Sequence, residues 1–452
     1  MAGHHKVNIS ELNEQYEFKP KAKKNALTLL VVGLVMTILG IVMAISSEGD
    51  HHGDHHDGQH SSVLMGDDMA GIEGTQKLTD EGGEHHHTPV WVKRIMAAVW
   101  HNNVFFLGIS VIGLFFVALQ YAAKAGWSAG LRRIPEAMAS FLPVISGFFI
   151  ITFFWVNHDV FHWTHDYLYD PTHPEYDEII AGKEGFLNMP FYLARMVIFL
   201  GGWSLFMFFL RKHSLAEDKE GGQKRYHKML VLSTVFIIFF AASSSVASWD
   251  WVMSIDTHWF STLFGWYHFA SWFVTGLSVI TLTMIFLKEE GYLKIVKEDH
   301  FHDMGKFVFA FSIFWTYLWF SQYLLIYYAN IPEETIYYIE RLSSGHYGKL
   351  VFINIGICFL FPFFGLMTRN AKRKTSILKI VCMGVIVGHW LDFYLMTAPG
   401  ILKEDGTIGL LEIGLPLVYG GIFAYWVGNK LSQAPLVTTK HPMIEECVYH
   451  NC

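Results

Sequence analysis

Ten apolar stretches alternate with polar loops, and the basic charge of those loops switches on and off along the chain. A helix rises about 1.5 Å per residue, so about 20 apolar residues cross hydrocarbon about 30 Å thick. The stretches fall near 26–46, 101–123, 134–156, 189–211, 229–248, 262–287, 305–328, 348–368, 377–397 and 410–428. The spacing therefore predicts an all-α integral membrane protein of about ten transmembrane helices.

The basic residues orient it. Lys6 to Lys24, then Lys124, Arg132 and Arg133, then Arg211 to Lys228, Lys288 to Lys306, Arg369 to Lys379, and Lys430 and Lys440 all fall on one side. That side holds 25 of the 33 basic residues. The other side holds Lys77, Lys93, Arg94, Lys183, Arg341, Lys349 and Lys403, and Arg195 sits inside a span. By the positive-inside rule both termini are expected in the cytoplasm.

The chain is 52% hydrophobic and 16% charged, with 15 Trp and 38 Phe, which is not the composition of a soluble domain of this length. No basic patch interleaves with aromatics, which argues against nucleic-acid binding. Of the four cysteines, Cys358 and Cys382 lie in spans, and Cys447 and Cys452 lie in the basic-side tail, where disulfides are disfavoured. There is no Cys-x-x-Cys and no Cys-x-x-Cys-His, so the chain is expected to ligate no iron–sulfur cluster and no covalent haem. His268 and His389 are the histidines well inside the predicted spans, a thin basis for haem b. The first span has too long a flank and core for a signal peptide.

The expected organisation is a cytoplasmic tail (1–25), a first span (26–46) and an extracytoplasmic loop (47–100). Two four-helix bundles follow, spans 2–5 (101–248) and spans 6–9 with their connecting loop (249–397). A last span (398–428, with its preceding loop) and a cytoplasmic tail (429–452) complete the chain. The loop at 47–100 carries His51, His52, His55, His56, His60, His85, His86 and His87 among Asp and Gly. Such composition reads as a flexible polar loop in contact with a partner rather than a metal site. The bundles are suggested by a weak repeat. Span 5 exits through Ser248-Trp249-Asp250-Trp251-Val252-Met253-Ser254, and span 9 through His389-Trp390-Leu391-Asp392-Phe393-Tyr394-Leu395-Met396-Thr397. Spans 3 and 7 exit through Phe154–Asn157 and Tyr327–Asn330. A parallel duplication of four helices keeps both copies in one orientation.

Charge inside hydrocarbon is costly and usually marks function or a paired structural site. The candidates gather in the outer half: His158, Asp159 and His162 after span 3, Arg195 in span 4, Asp250 leaving span 5, His268 in span 6, and His389 and Asp392 in span 9. The inner half offers little beyond Glu136 and basic caps. His389 and Asp392 are three apart and share a helix face, as do His158 and His162 if span 3 extends that far. Arg195 is expected to pair with Asp250 or Asp392. Quinol oxidation would use such groups, because a His or carboxylate within hydrogen-bond reach takes the hydroxyl protons as electrons leave. Trp249, Trp251 and Trp390 are the aromatics expected to flank a quinone ring. Aromatic belts occur at every membrane interface, and polar residues at span ends also cap helices, so the cluster argues more strongly than any member.

The ten-span layout, the paired bundles and the run Ser248–Asp256 (Ser-Trp-Asp-Trp-Val-Met-Ser-Ile-Asp), with Trp259-Phe260-Ser261-Thr262 and Gly265-Trp266, resemble the polysulfide-reductase NrfD-like membrane proteins. More narrowly, they resemble the second NrfD-like subunit of alternative complex III, a bacterial quinol:cytochrome c oxidoreductase. The resemblance spans roughly 20–430, with 248–266 its specific part. It implies a sister NrfD-like subunit, an iron–sulfur protein, and multihaem and monohaem c-type cytochromes as partners in a bacterial inner membrane. It also implies a quinone of menaquinone type at the extracytoplasmic face and no covalently bound cofactor. In such a complex the first NrfD-like subunit is the stronger candidate for quinol turnover. Two other readings stay open: a scaffold without quinol turnover, and a secondary transporter. A transporter usually places its site at the midplane by broken helices. Here the polar residues lie off-centre, and Pro362 is the main candidate break.

Overall fold

The computed structural model describes residues 14–51 and 88–451, so His52 to His87 of the His-rich loop lie outside the described residues. Ten helices are long and apolar enough to cross a membrane. In chain order they are α1 (Pro20–His51), α2 (Val90–Ala122), α3 (Arg133–Val160), α4 (Met189–Glu220), α5 (Gln223–Trp251), α6 (Phe264–Glu289) and α7 (Glu298–Ala329). A short helix, α8 (Pro332–Leu342), precedes the last three, α9 (Tyr347–Gly365), α10 (Thr375–Leu402) and α11 (Leu410–Leu431). The protein is a multi-pass, all-α membrane protein, and among the described residues extended pairing is limited to an isolated bridge, Gln15 with Pro435.

Each of the ten apolar stretches falls on one of these helices, most of which run past it, although α9 ends at Gly365 rather than 368 and α6 starts at Phe264 rather than 262. α2 starts eleven residues before its predicted span, at Val90 rather than at 101. Hydropathy marks where a helix is apolar, not where its backbone hydrogen bonds stop.

Packing closes two rings. In the first, α2 packs on α3 and α5, and α4 closes the circle between them. In the second, α6 packs on α7 and α10, and α9 closes the circle. α2 also packs on α6 and α10, which explains why it is buried almost throughout. α1 and α11 form a separate pair against this core. A Cβ on Gly33 would stand 2.6 Å from the Val418 backbone nitrogen, and one on Gly414 would stand 2.6 Å from that of Thr37. Glycine therefore sets how closely these two helices approach, as small residues do where no hydrophobic effect drives helix pairing in lipid.

Pro362 does not break α9. A π-helical turn, Gly356–Leu360, precedes it and the helix resumes at Phe361. Proline lacks an N–H and crowds the carbonyl four residues back, and a wide turn accommodates both defects.

Candidate functional site

We call the end bearing Arg132, Arg211–Lys228 and Lys288–Lys306 the basic end, and its opposite the distal end. The sequence candidates lie towards the distal end but divide into separate places.

Asp250 and Arg195 form the first. Asn188 caps α4 by accepting from the Phe191 N–H, with Pro190 in the first turn. One turn on, Arg195 donates from Nε to Asp250 Oδ2 at 2.7 Å and from Nη2 to Oδ1 at 2.8 Å. Nη2 also donates to the Phe186 carbonyl at 3.0 Å. The guanidinium lies between the Phe186 and Phe191 rings, 4.0 and 4.2 Å from their centroids. Asp250 is wholly buried. The pairing expected for Arg195 is thus with Asp250 and not Asp392, because α4 and α5 are neighbours in the first ring while Asp392 lies inside the second.

Asp392 needs no guanidinium. Its Oδ1 accepts from the Tyr267 hydroxyl at 2.5 Å and from Asn354 Nδ2 at 3.1 Å. Its Oδ2 accepts from Ser271 Oγ and Trp315 Nε1, each at 2.9 Å. These donors come from α6, α7 and α9, so the second ring converges on one carboxylate. Ser271 Oγ also lies 2.9 Å from His389 Nδ1. With Ser271 donating to Asp392, His389 donates from Nδ1, and its buried Nε2 has no partner. A carboxylate buried this deeply is tolerable because its lone pairs are met by hydrogen bonds. His268, also buried and edge-on to Trp272, has no partner on either ring nitrogen.

The three tryptophans do not form one wall. Trp251 is core, packed on Phe149 and Trp203, and its carbonyl accepts from Trp100 Nε1 at 2.8 Å. Trp390 donates to Asn102 Oδ1 at 3.2 Å and lies beside His101. Trp249 alone lines an aromatic cleft of about 330 Å³, together with Phe186, Met253, Trp259, Phe260 and Lys183. Neighbouring helical residues point about 100° apart, and two residues put Trp249 and Trp251 on opposed sides of α5.

His158 and Asp159 lie in the last turn of α3, which ends at Val160. His162 falls in a separate 3₁₀ turn, so the shared helix face expected for His158 and His162 does not form. They do share a cavity of about 740 Å³ at the distal end with His165, His258, Asp256 and Glu340. Outside the spans, burial holds His162 below the ordinary histidine range, with His165 adding to the effect. Among the described residues no group of three or more His, Cys, Asp or Glu side chains is arranged to hold a metal ion.

The basic end is richer than its sequence suggests. Arg132 donates to Glu217 at 3.0 Å and to Thr438 Oγ1 at 3.0 Å. Arg133 binds Asp218, Glu136 and Ser214. These are buried ion pairs rather than caps. Helix α4 continues to Glu220, which carries Glu217 and Asp218 down beside α3. The chain after α11 folds back over them. His441 lies against the Tyr121 and Tyr226 rings, and Cys447 lies 3.3 Å from His300 Nε2. Burial and the nearby Arg132 push His441 down to about 3, and burial pushes the Cys447 thiol up to about 12.

Two further features escaped the hydropathy pattern. His101, Asn102 and Asn103 are buried inside α2, where Asn103 donates to Thr152 Oγ1 at 2.7 Å and accepts from the Tyr419 hydroxyl at 2.8 Å. Arg94 clasps the buried Glu412 at 2.8 Å, joining α2 to α11. The three successive polar residues are a signal in the sequence, masked because they stand at the edge of the apolar stretch.

A scan against protein-family models finds no match for this chain, and a search of curated proteins finds none either.

Proposed function

We propose that this chain is an NrfD-like membrane subunit of a bacterial respiratory quinol:cytochrome c oxidoreductase, in which the second ring carries protons released near quinol. The observation that carries the reading is the Asp392–Ser271–His389 relay: a buried carboxylate joined through one hydroxyl to an imidazole whose Nε2 is unpartnered. A carboxylate and an imidazole within hydrogen-bond reach of a shared hydroxyl are the parts general base catalysis uses. The cleft at Trp249 has the size and aromatic lining suited to a quinone ring, which is substrate here rather than resident cofactor. The distal cavity with its histidines and carboxylates supplies a wet exit. On this reading the distal end is extracytoplasmic and both termini are cytoplasmic in the inner membrane. The partners are a sister NrfD-like subunit, an iron–sulfur protein and c-type cytochromes.

A scaffold role without turnover is the second reading. It is favoured by the Arg195–Asp250 pair, which is bidentate, buried and clamped between two rings, as a structural tie would be. Asp392→Asn and His389→Phe in the assembled complex separate the two. Loss of a working base costs about 10²–10⁴-fold in quinol-dependent cytochrome reduction. Assembled complexes within about twofold of wild type in both variants would reject the relay and leave the scaffold, since even a modest base contribution exceeds that.

A further inference from the structure

Between Asp392 and the distal cavity lies a small chamber of about 20 Å³, room for one water. Asp392, Asn354, Gln322 and Met396 line it, and the buried Gln322 Nε2 has no partner. Leu342, Val351 and Leu395 make much of the lining apolar, but Asp392, Asn354 and the unpartnered Gln322 offer a single water its polar partners. Its wall toward the distal cavity is α8. Tyr337 of α8 lines both spaces, Arg341 lines the chamber, and Asp256 lines the distal cavity.

Arg341 is what holds this wall. It donates to Asp256 Oδ2 at 2.7 Å and to the Leu395 and Met396 carbonyls at 2.9 and 3.1 Å. Its guanidinium covers the Tyr337 ring at 3.4 Å, and that ring stacks on Trp259 at 3.8 Å. Tyr337 and Tyr338 anchor one face of α8 in the core, where Tyr338 meets the Tyr323 ring, and the opposite face is open. Ile336 and Ile339 are more than half exposed, and Lys403 holds Glu340 at the surface at 3.1 Å. The helix is entered through Asn330, which has a left-handed φ of 50°. A short helix held by one arginine and two buried tyrosine rings, with a sharp turn at its start, can tilt as a unit about that turn once the arginine lets go.

We propose that α8 is a lid over the Asp392 chamber and that Arg341–Asp256 is its latch. Closed, it separates the relay from bulk water. Open, it joins Asp392 to the distal cavity through the place Arg341 now fills. The lid stands on its own geometry, and only its purpose, timing proton release, rests on the relay reading.

Hydroxyl-radical footprinting of the purified full-length protein tests it, with Met396 oxidation as the probe and Met284, buried in α6 away from the lid, as the control. Arg341→Gln and Asp256→Ala are expected to raise Met396 oxidation several-fold and leave Met284 unchanged. Met396 within twofold of wild type in both would overturn the lid. If Arg341→Gln also exposes Met284, that variant has lost its fold, and Asp256→Asn, nearly the same shape, decides by the same two probes. Quinol-dependent cytochrome reduction in the same variants reads the relay separately. Raised Met396 oxidation with unchanged turnover supports the lid and rejects its proposed purpose.

Discussion

Asn354 donates to Asp392 across 3.1 Å from the third helix of its ring, and Arg195 holds Asp250 from the third helix of the other. The two rings thus meet a carboxylate on their fourth helix in opposite ways. One supplies a full counter-charge and the other several neutral donors. The different effects expected of mutation follow from this, because losing a counter-charge strands a buried charge whereas losing one of several donors leaves the others in place.

Arg195→Met should leave Asp250 buried and unpaired. Breaking one half of a buried pair costs about 3–5 kcal/mol, whereas replacing both halves with apolar groups is often close to neutral. Denaturant unfolding in detergent should therefore find Arg195→Met far less stable than the Arg195→Met/Asp250→Leu double variant. Equal losses would mean the pair contributes by packing alone.

Trp315→Phe removes one of the donors to Asp392 and keeps a ring in place. A hydrogen bond to a charged group contributes about 1.5–3 kcal/mol, so a loss of that order is expected in the same assay. No loss would show that the remaining donors suffice.

Gly414→Val places side-chain atoms where α1 passes. The Thr37 nitrogen would be 2.6 Å from the new Cβ, so the helices must separate. Overpacking of this kind costs about 1–3 kcal/mol. A cysteine pair introduced across α1 and α11 at another contact should cross-link less readily in this variant, and Gly420→Ala, with only loose neighbours, should not change it.

The folded-back tail should loosen in acid. His441 is held neutral in the folded state down to about 3, against 6.5 when free. Protons therefore favour the undocked tail throughout that interval, and docking is complete above 6.5 and weakens as the pH falls. One pKa unit is worth about 1.4 kcal/mol, so the loss at pH 5 is about 2 kcal/mol. Limited proteolysis after Leu431 should accelerate between pH 7 and 5. His441→Asn, which cannot take up the proton, should flatten that dependence.

Single cysteines at Glu175 and Lys224, both exposed, should react with an impermeant maleimide from opposite faces of sealed vesicles. Labelling from one face would be incompatible with the ten spans.

The number and order of the spans were legible in the sequence, because hydrocarbon admits only long apolar helices and apolar length is a one-dimensional property. The candidate acids were legible for the same reason: Asp250 and Asp392 stand out against apolar neighbours wherever they point. Their partners were not. Arg195 lies 55 residues from Asp250 in the chain, and Tyr267 lies 125 from Asp392. Which helices share a ring decides such pairings, and rings are set by packing across the bundle. Arg133 was legible only as one of the basic groups at that end, and it is the length of α4 that brings Asp218 against it. Arg341 looked like a loop base until α8 folded it over the Asp392 chamber. Burial is a property of what surrounds a residue, so the sequence determined the spans and their charged exceptions, and only the tertiary structure decided which exceptions were paired, solvated or poised.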